Sequence, residues 1–452
     1  MACAYELRTP RKSRISLKIE VLDFQRFQKF NIGIKQYPPF FQEVANIFPR
    51  YLIPIDKFHK VKRDTRFVRG YPQRWSTSTY TRSLNTPIFE TATFVISPPA
   101  KANEIIGRGG GTFLEGDDYV YTRGGNPTQR ALERNIGILE GAKDSIVYSS
   151  GMAAIVNMVL TFLQCGDHVI CGNILFGDTH YLFETVCNRF GIKCTFIDTS
   201  NTDIIEREIR KETKIVFFES PNNPLLVVSD IRKISSITKK HGVLLAVDST
   251  LGNPYNQNPI ELGADIVIHS LTKYISGHSD AVGGAIIAKD ELLCQLRRTL
   301  FISGSILDPF AAWNILKGIK TLPIRTEKQS KTALYIAKAL EKNPKVKVVY
   351  YPGLKSHPTH HIAKKQMRRF GSVISFQLKD ISIRKIDRLL KNLRLFSFAV
   401  SFGGTDSLIE YTGYMSHHKI TSPTNSNLKL IRLSIGLEDE ADLLHDLEQA
   451  LG

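Results

Sequence analysis

The sequence predicts an α/β protein, with a large domain built on a mostly parallel sheet and a smaller α/β domain at the C-terminus. Three observations carry this. Between about residues 126 and 324, short β-branched runs alternate with amphipathic stretches, the pattern of successive β-α-β units. Those runs are almost continuously apolar, as strands are when helices cover both faces of their sheet. After Leu322-Pro323 the rhythm changes to helix, then a strand at 346–350, then mixed segments ending in a helix over 438–451.

The predicted strands of the large sheet are 145–148, 168–171, 194–197, 214–218, 244–247, 266–269 and 285–288. The first passes into Ser149-Ser150-Gly151, small residues at a strand-to-helix turn; the fifth ends on Asp248; the sixth is followed by Ser270-Leu271-Thr272-Lys273. Ligands of such sheets bind beyond the carboxyl ends of the strands, so the polar residues just after each run are the candidates for chemistry.

Composition sets limits on function. A chain of 452 residues that is 42% hydrophobic can bury substantial cores, which excludes a wholly disordered protein. The net charge of +17 is spread among acidic residues rather than gathered in a tract, so it reads as a Lys-rich solvated surface and not a nucleic-acid interface. The six cysteines (Cys3, Cys165, Cys171, Cys187, Cys194, Cys294) form no C-x-x-C pair, so no metal site and no disulfide framework is expected. No apolar run approaches the length of a membrane span. A reducing, cytoplasmic setting is expected. The alternative is organelle targeting through residues 1–60, which are basic over 8–18 but carry Glu20, Asp23 and Glu43, unlike a transit segment.

Lys273 stands just after a strand, between hydroxyl residues. A lysine that forms a Schiff base needs such a setting, because partial desolvation lowers its pKa and its amine must be fixed against a carbonyl carbon. Asp248, ending the preceding strand, could pair with a pyridine nitrogen and keep it protonated, which makes the ring an electron sink. The alternative for Asp248 is a carboxylate that caps the next turn. Ser150, Gly151 and Met152 open a helix whose first backbone N–H groups could hold a phosphate, with Ser270 and Thr272 as further donors.

These pieces resemble the Cys/Met-metabolism family of pyridoxal-5′-phosphate enzymes: cystathionine γ-synthase and lyases, methionine γ-lyase and O-acylhomoserine sulfhydrylases. The resemblance runs from about Asp64 to Leu451. It includes Tyr121-Thr122-Arg123-Gly124-Gly125-Asn126-Pro127-Thr128, Glu219-Ser220-Pro221-Asn222-Asn223-Pro224, the Lys273 segment, and Ile431-Arg432-Leu433-Ser434-Ile435-Gly436-Leu437-Glu438-Asp439. It implies the aspartate aminotransferase-type architecture, fold type I of the pyridoxal-phosphate enzymes. It also implies an N-terminal extension at 1–60, an arm at 61–125 against a neighbouring subunit, a cofactor-binding domain at 126–324 and a small domain at 325–452. Lys273 is then the catalytic residue. Gly151 and Met152 supply backbone donors, Phe176 stacks on the cofactor ring, Asn223 bonds the ring hydroxyl, and Asp248 pairs with the ring nitrogen. Arg432, aided by Ser401, clamps the substrate carboxylate, with Ser416 in support. Tyr121 and Arg123 reach the cofactor phosphate of a neighbouring subunit, which implies a homo-oligomer, a dimer of dimers.

The implied activity is trans-sulfuration of small sulfur amino acids, with γ-elimination by a carbon–sulfur lyase placed first. Alternatives are γ-replacement by a transferase, since both reactions use the same residues, and a weakly active cofactor-binding protein. Three departures bear on the choice. Phe176 stands where the family usually has a tyrosine whose hydroxyl is linked to proton transfer. Tyr181 stands where cystathionine-handling members carry an arginine, and Val400 where cystathionine lyases often carry a glutamate. Without those charges a distal carboxylate lacks a partner, which favours methionine- or homocysteine-like substrates. His180 and Asp178, in the loop after Phe176, are further candidates for tuning selectivity.

Overall fold

The computed structural model describes residues 62–69, 83–96, 119–380, 382–412 and 430–452. Residues 1–60, with Cys3, and Ser416 lie outside the described residues. The first described helix is α1 (Arg63–Arg69), anchored by Phe67, which is fully buried and meets Tyr255 edge-on at 5.8 Å between ring centroids. Then follow α2 (Pro127–Leu139), β1 (Ser145–Tyr148), α3 (Gly151–Phe162), β2 (His168–Gly172), α4 (Gly177–Tyr181), a π-helical turn (Leu182–Cys187) and β3 (Lys193–Ile197). Next come α5 (Thr202–Glu208), β4 (Thr213–Glu219), α6 (Ile231–His241), β5 (Leu244–Asp248), β6 (Ile266–Ser270), β7 (Gly284–Ala288), α7 (Asp290–Ser303) and α8 (Pro309–Lys342). The remainder is β8 (Val346–Tyr350), α9 (His360–Gln366), β9 (Val373–Leu378), α10 (Ile383–Asn392), β10 (Ser397–Phe398), β11 (Leu408–Tyr411), β12 (Ile431–Ser434) and α11 (Glu440–Leu451).

All seven expected strands form one sheet, in the order β1-β7-β6-β5-β4-β2-β3. It is buried on both faces. Val147, Val216, Phe218, Leu245, Val247 and Val267 pack into one core, while Ile146, Tyr148, Val169, Phe217, Ile266 and Ile268 pack into another on the opposite side. β7 departs from the expected parallel pattern: it runs antiparallel to both β1 and β6. The physical reason is its connection, because residues 271–283 contain no helix to carry the chain back across the sheet, and a parallel crossover needs one. The parallel register that matters most pairs Glu219 with Asp248, and Asp248 with Ile268.

A second sheet, ordered β10-β11-β12-β9-β8, covers α8 and α11 with Ile374, Phe376, Ile409, Leu433 and their neighbours. The two sheets are joined by α8, which passes through Pro323 without a break and so crosses the change of pattern at 322–325 as one continuous rod. Asp308 caps its start by accepting from the amides of Phe310 and Ala311. Midway, Arg325 donates to the carbonyls of Tyr274 and Gly318, and Gln329 donates to the carbonyl of Gly404. One helix is thus stitched both to the turn that holds Lys273 and to the loop after β10. Among the described residues no helix is long and apolar enough to cross a membrane.

Behind β1 lies a buried charge cluster. Arg130 meets Glu133 at 2.6 Å and Asp144 at 2.6 Å, and Arg297 meets Glu133 at 3.0 Å. The carboxylates beside Arg130 hold its guanidinium charged against the desolvation of burial. Removing Glu133 leaves two buried arginines with too little opposite charge, so Glu133→Ala should lower the unfolding free energy by about 3–5 kcal/mol in denaturant titration. Lys143→Ala, which breaks the exposed pair with Asp290, should leave the midpoint unchanged.

Candidate active site

Lys273 sits in the turn that follows β6, where Ser276 N–H donates to Leu271 O and Gly277 N–H to Lys273 O, folding the turn back on itself. Its Nζ donates to Ser401 Oγ at 2.8 Å and lies 5.2 Å from the centroid of the Phe402 ring. Burial, and then the positive charge of Arg432, bring the amine down to about 8, with Glu410 opposing. A sizeable neutral fraction is therefore present near neutral pH, unlike at an exposed lysine. Ser401 has φ of 89°, a left-handed conformation that a serine adopts only when its surroundings hold it there. They do: its hydroxyl takes Lys273 and its carbonyl takes Arg432 at 3.0 Å.

Asp248, at the end of β5, has one carboxylate oxygen engaged by the amide of Thr250 at 2.9 Å and by its hydroxyl at 2.5 Å. Thr250 Oγ1 also accepts from the amide of Ser270 at 2.8 Å, so the ends of β5 and β6 are tied through one hydroxyl. Burial pushes Asp248 up, while the Thr250 bonds and the charge of His269 oppose it. A buried carboxylate in this state gains from a cation placed beside it. The turn-capping alternative is thus also present, on one oxygen of the same group.

Ser150 caps α3 by accepting from Ala153 N–H at 3.0 Å, which leaves the first-turn amides of Gly151 and Met152 without intrahelical acceptors. Ser270 lies against this turn: a Cβ on Gly151 would come within 3.0 Å of Ser270 Cβ and 3.3 Å of its Oγ. Helix N-terminus and serine hydroxyl together could hold an anion. Thr272 is turned elsewhere, with its Oγ1 accepting from Gly283 N–H at 3.1 Å and donating to Gly283 O at 3.3 Å.

Arg432, on β12, is held from three sides. It pairs with Glu410 across the β11–β12 register, donates to Asn223 Oδ1 at 3.0 Å, and donates to Ser401 O. A guanidinium has five N–H donors, so donors remain for a ligand carboxylate. Phe176 is 39% exposed and begins α4, with its amide donating to Glu219 at 2.6 Å. Tyr181 and Val400 are about half exposed. His180, by contrast, is turned inward, with its ring 4.4 Å from that of Phe196, and Thr179 on the same helix donates to Met152 Sδ at 3.4 Å.

Tyr121 and Arg123 have their own partners. Arg123 lies over the rings of Phe301, at 4.4 Å, and Tyr121, at 5.9 Å. Both line a groove with Thr91, Ile306 and Asp308. Among the described residues, no hydrogen bond joins either of them to Lys273, Asp248 or the α3 turn.

Two residues that sequence reasoning passed over are Glu410 and Glu219. Glu410 is 1% exposed, and its Oε1 has no partner among the described residues. A glutamate inside the apolar run Leu408-Ile409-Glu410-Tyr411 was the available signal, because a charge at a strand's buried position needs a partner. Glu219 ends β4 as Asp248 ends β5.

The comparisons with known proteins agree with this geometry. The family model described as Cys/Met metabolism PLP-dependent enzyme matches residues 64–452. The chain is 42% identical over 380 residues to an L-methionine gamma-lyase of Fusobacterium nucleatum subsp. polymorphum, covering 82% of this chain and 93% of that one. It is 42% identical over 381 residues to a cystathionine beta-lyase of Lactococcus lactis subsp. cremoris, covering 83% of this chain and 96% of that one. The structure of a cystathionine gamma-lyase from Lactobacillus plantarum, complexed with L-serine, superposes with a TM-score of 0.78 at 34% identity, covering 86% of this chain and 98% of that one. With a family match that takes in both sheets and every described candidate residue, this chain belongs to the Cys/Met-metabolism family of pyridoxal-phosphate-dependent enzymes.

Proposed function

We propose that the chain is a carbon–sulfur lyase that carries out γ-elimination on a small sulfur amino acid, with an uncharged thioether such as methionine preferred over cystathionine. The observation that carries this reading is the Lys273 amine, brought down to about 8 and held 2.8 Å from Ser401 Oγ, with Arg432 beside it. The residues present fit pyridoxal phosphate. The cradle of Gly151, Met152 and Ser270 suits its phosphate, the buried Asp248 suits its protonated ring nitrogen, Phe176 suits its ring face, and Asn223 suits its ring hydroxyl. When bound, the cofactor supplies an electron sink for charge developing on the substrate's α carbon.

The chain's own residues divide the rest of the work. Arg432 takes the substrate carboxylate, and Glu410 keeps its guanidinium from turning away. The Nζ of Lys273, neutral in part near pH 7, removes the Cα proton, and Ser401 Oγ steers that nitrogen. Tyr181 and Val400 offer no charge to a distal carboxylate or ammonium, so a substrate ending in a methylthio group loses less solvation on entry. The overall change converts a thioether amino acid and water into a thiol, ammonia and a 2-oxo acid.

Tyr121 and Arg123 are proposed to complete the phosphate site of a second copy in a homo-oligomer. The exposed apolar residues of the arm, Leu84 at 91% and Val95 at 95%, support this, as does the partial exposure of Tyr121 at 47%. The free thiols at Cys165, Cys171, Cys187, Cys194 and Cys294 suit a reducing compartment, and we place the protein in the cytoplasm.

Three outcomes test these assignments. Capture of added pyridoxal phosphate at Lys273 requires the neutral amine, so its rate, followed by absorbance, should rise with pH and level off above about 8. An ordinary lysine would keep accelerating to about pH 10, and Lys273→Ala should show no such phase. In a substrate screen that follows 2-oxo acid and thiol together, methionine should exceed cystathionine in kcat/KM by about tenfold or more, and Val400→Glu should narrow that gap. Absence of 2-oxo acid from every thioether, alongside consumption of an O-acylhomoserine with a thiol, would replace the lyase reading by a transferase. Phe176→Tyr, which restores a hydroxyl at the ring face, should raise kcat for elimination by about tenfold or more; an unchanged kcat would show that another group already moves that proton.

A further inference from the structure

We infer that Glu219 is a positioning residue: its carboxylate fixes the backbone of Phe176 on one side of the site and of Asn223 on the other, and so sets the orientation of the ring that those two residues contact. The inference rests on the proposed cofactor roles of Phe176 and Asn223 and adds a residue to which no role had been attached.

The geometry is specific. Glu219 is the last residue of β4 and is 8% exposed, so it comes from the rigid sheet rather than from a loop. Its Oε1 accepts from the amide of Phe176 at 2.6 Å, and its carboxylate also accepts from the amide of Asn223. Phe176 (φ −53°, ψ 140°) is the N-cap residue of α4, and its own N–H is taken by this carboxylate. Asn223 in turn accepts from Arg432, so the same anchor extends to the residue proposed to hold the substrate carboxylate.

A carboxyl group suits this position because its oxygens can take two N–H groups at once, and its ionised form, disfavoured by burial and Asp248 in the cofactor-free chain, would make those bonds charge-assisted once a cation lies beside the pair. The position also has a cost. Glu219 stands beside Asp248 in the parallel register, and burial together with the charge of Asp248 pushes its carboxyl up. A buried like-charge neighbour is unfavourable for stability alone. It becomes useful when a cation lies next to Asp248, since the extra negative charge favours a protonated ring nitrogen there. Two links therefore lead from Glu219 to the ring: hydrogen bonds that place its neighbours, and a field that supports its protonation.

The test uses the full chain, Glu219→Gln and Glu219→Ala, with pyridoxal phosphate as the probe. Three quantities are measured: cofactor Kd, visible circular dichroism per bound cofactor, and kcat separately from KM. The dichroism reports how the ring is held and is not moved by a loss of stability alone. Glu219→Ala should weaken cofactor binding by about tenfold to a hundredfold and abolish most of the dichroic signal. Glu219→Gln, which keeps an acceptor for the amides but removes the charge, should recover most of the dichroism and the affinity while kcat stays reduced at little-changed KM. Parental affinity and dichroism in the alanine variant would overturn the inference. So would a glutamine variant as impaired as alanine in dichroism. Hydrogen exchange at the Phe176 amide of the cofactor-free parent gives a reading that does not depend on how the variants fold: strong protection is expected, and rapid exchange would overturn the inference. A parent chain that bound no pyridoxal phosphate would instead overturn the functional reading beneath it.

Discussion

The parallel register of β4, β5 and β6 is the constraint on which the site depends. Glu219 and Asp248 end β4 and β5 in register, and β6 runs on from Ile268, the partner of Asp248, to Ser270, so all three reach one edge of the sheet without any loop having to place them. Thr250 then ties Asp248 to the amide of Ser270, which stiffens the edge just before the turn that presents Lys273. The burial of both sheet faces makes this possible, since a register slip would move whole cores at once.

Electrostatics is organised around that edge in two opposed groups. Burial first, and then the like charge of Arg432, lower the proton affinity of Lys273. Glu410 keeps Arg432 charged and in place despite its burial. Asp248 and Glu219 form the opposite pair, with both carboxyls pushed up by desolvation. The division would suit a cofactor that carries an anionic phosphate and a cationic ring, in the arrangement proposed above.

Much of this was legible in the sequence where chemistry and strand ends coincide. Lys273, Asp248 and the Ser150-Gly151-Met152 turn follow apolar runs directly, and the apolar runs of the large sheet coincide with its seven strands to within about one residue at each end. Partnerships across long separations were not legible. Glu410 meets Arg432 only because β11 and β12 pair in one register, and Glu219 meets Phe176 only once β2 and β4 lie side by side. The direction of β7 is not legible for a related reason: an apolar run looks the same whichever way it points, and the deciding fact is the lack of a helix before it. The contact of Thr272 with the Gly283 backbone is likewise invisible in a one-dimensional pattern.

The long helix α8 has a mechanical consequence. Arg325 grips the turn that carries Lys273, and Gln329, one helical turn further on, grips the loop that follows Ser401 and Phe402. The amine and the hydroxyl that steers it come from chain segments 128 residues apart, yet both are referenced to the same few ångströms of one rod. Swaying of the second sheet against the first would carry substrate-facing residues with it, while the spacing between Nζ and Oγ stays constant, as two jaws keep their gap when clamped to a common bar.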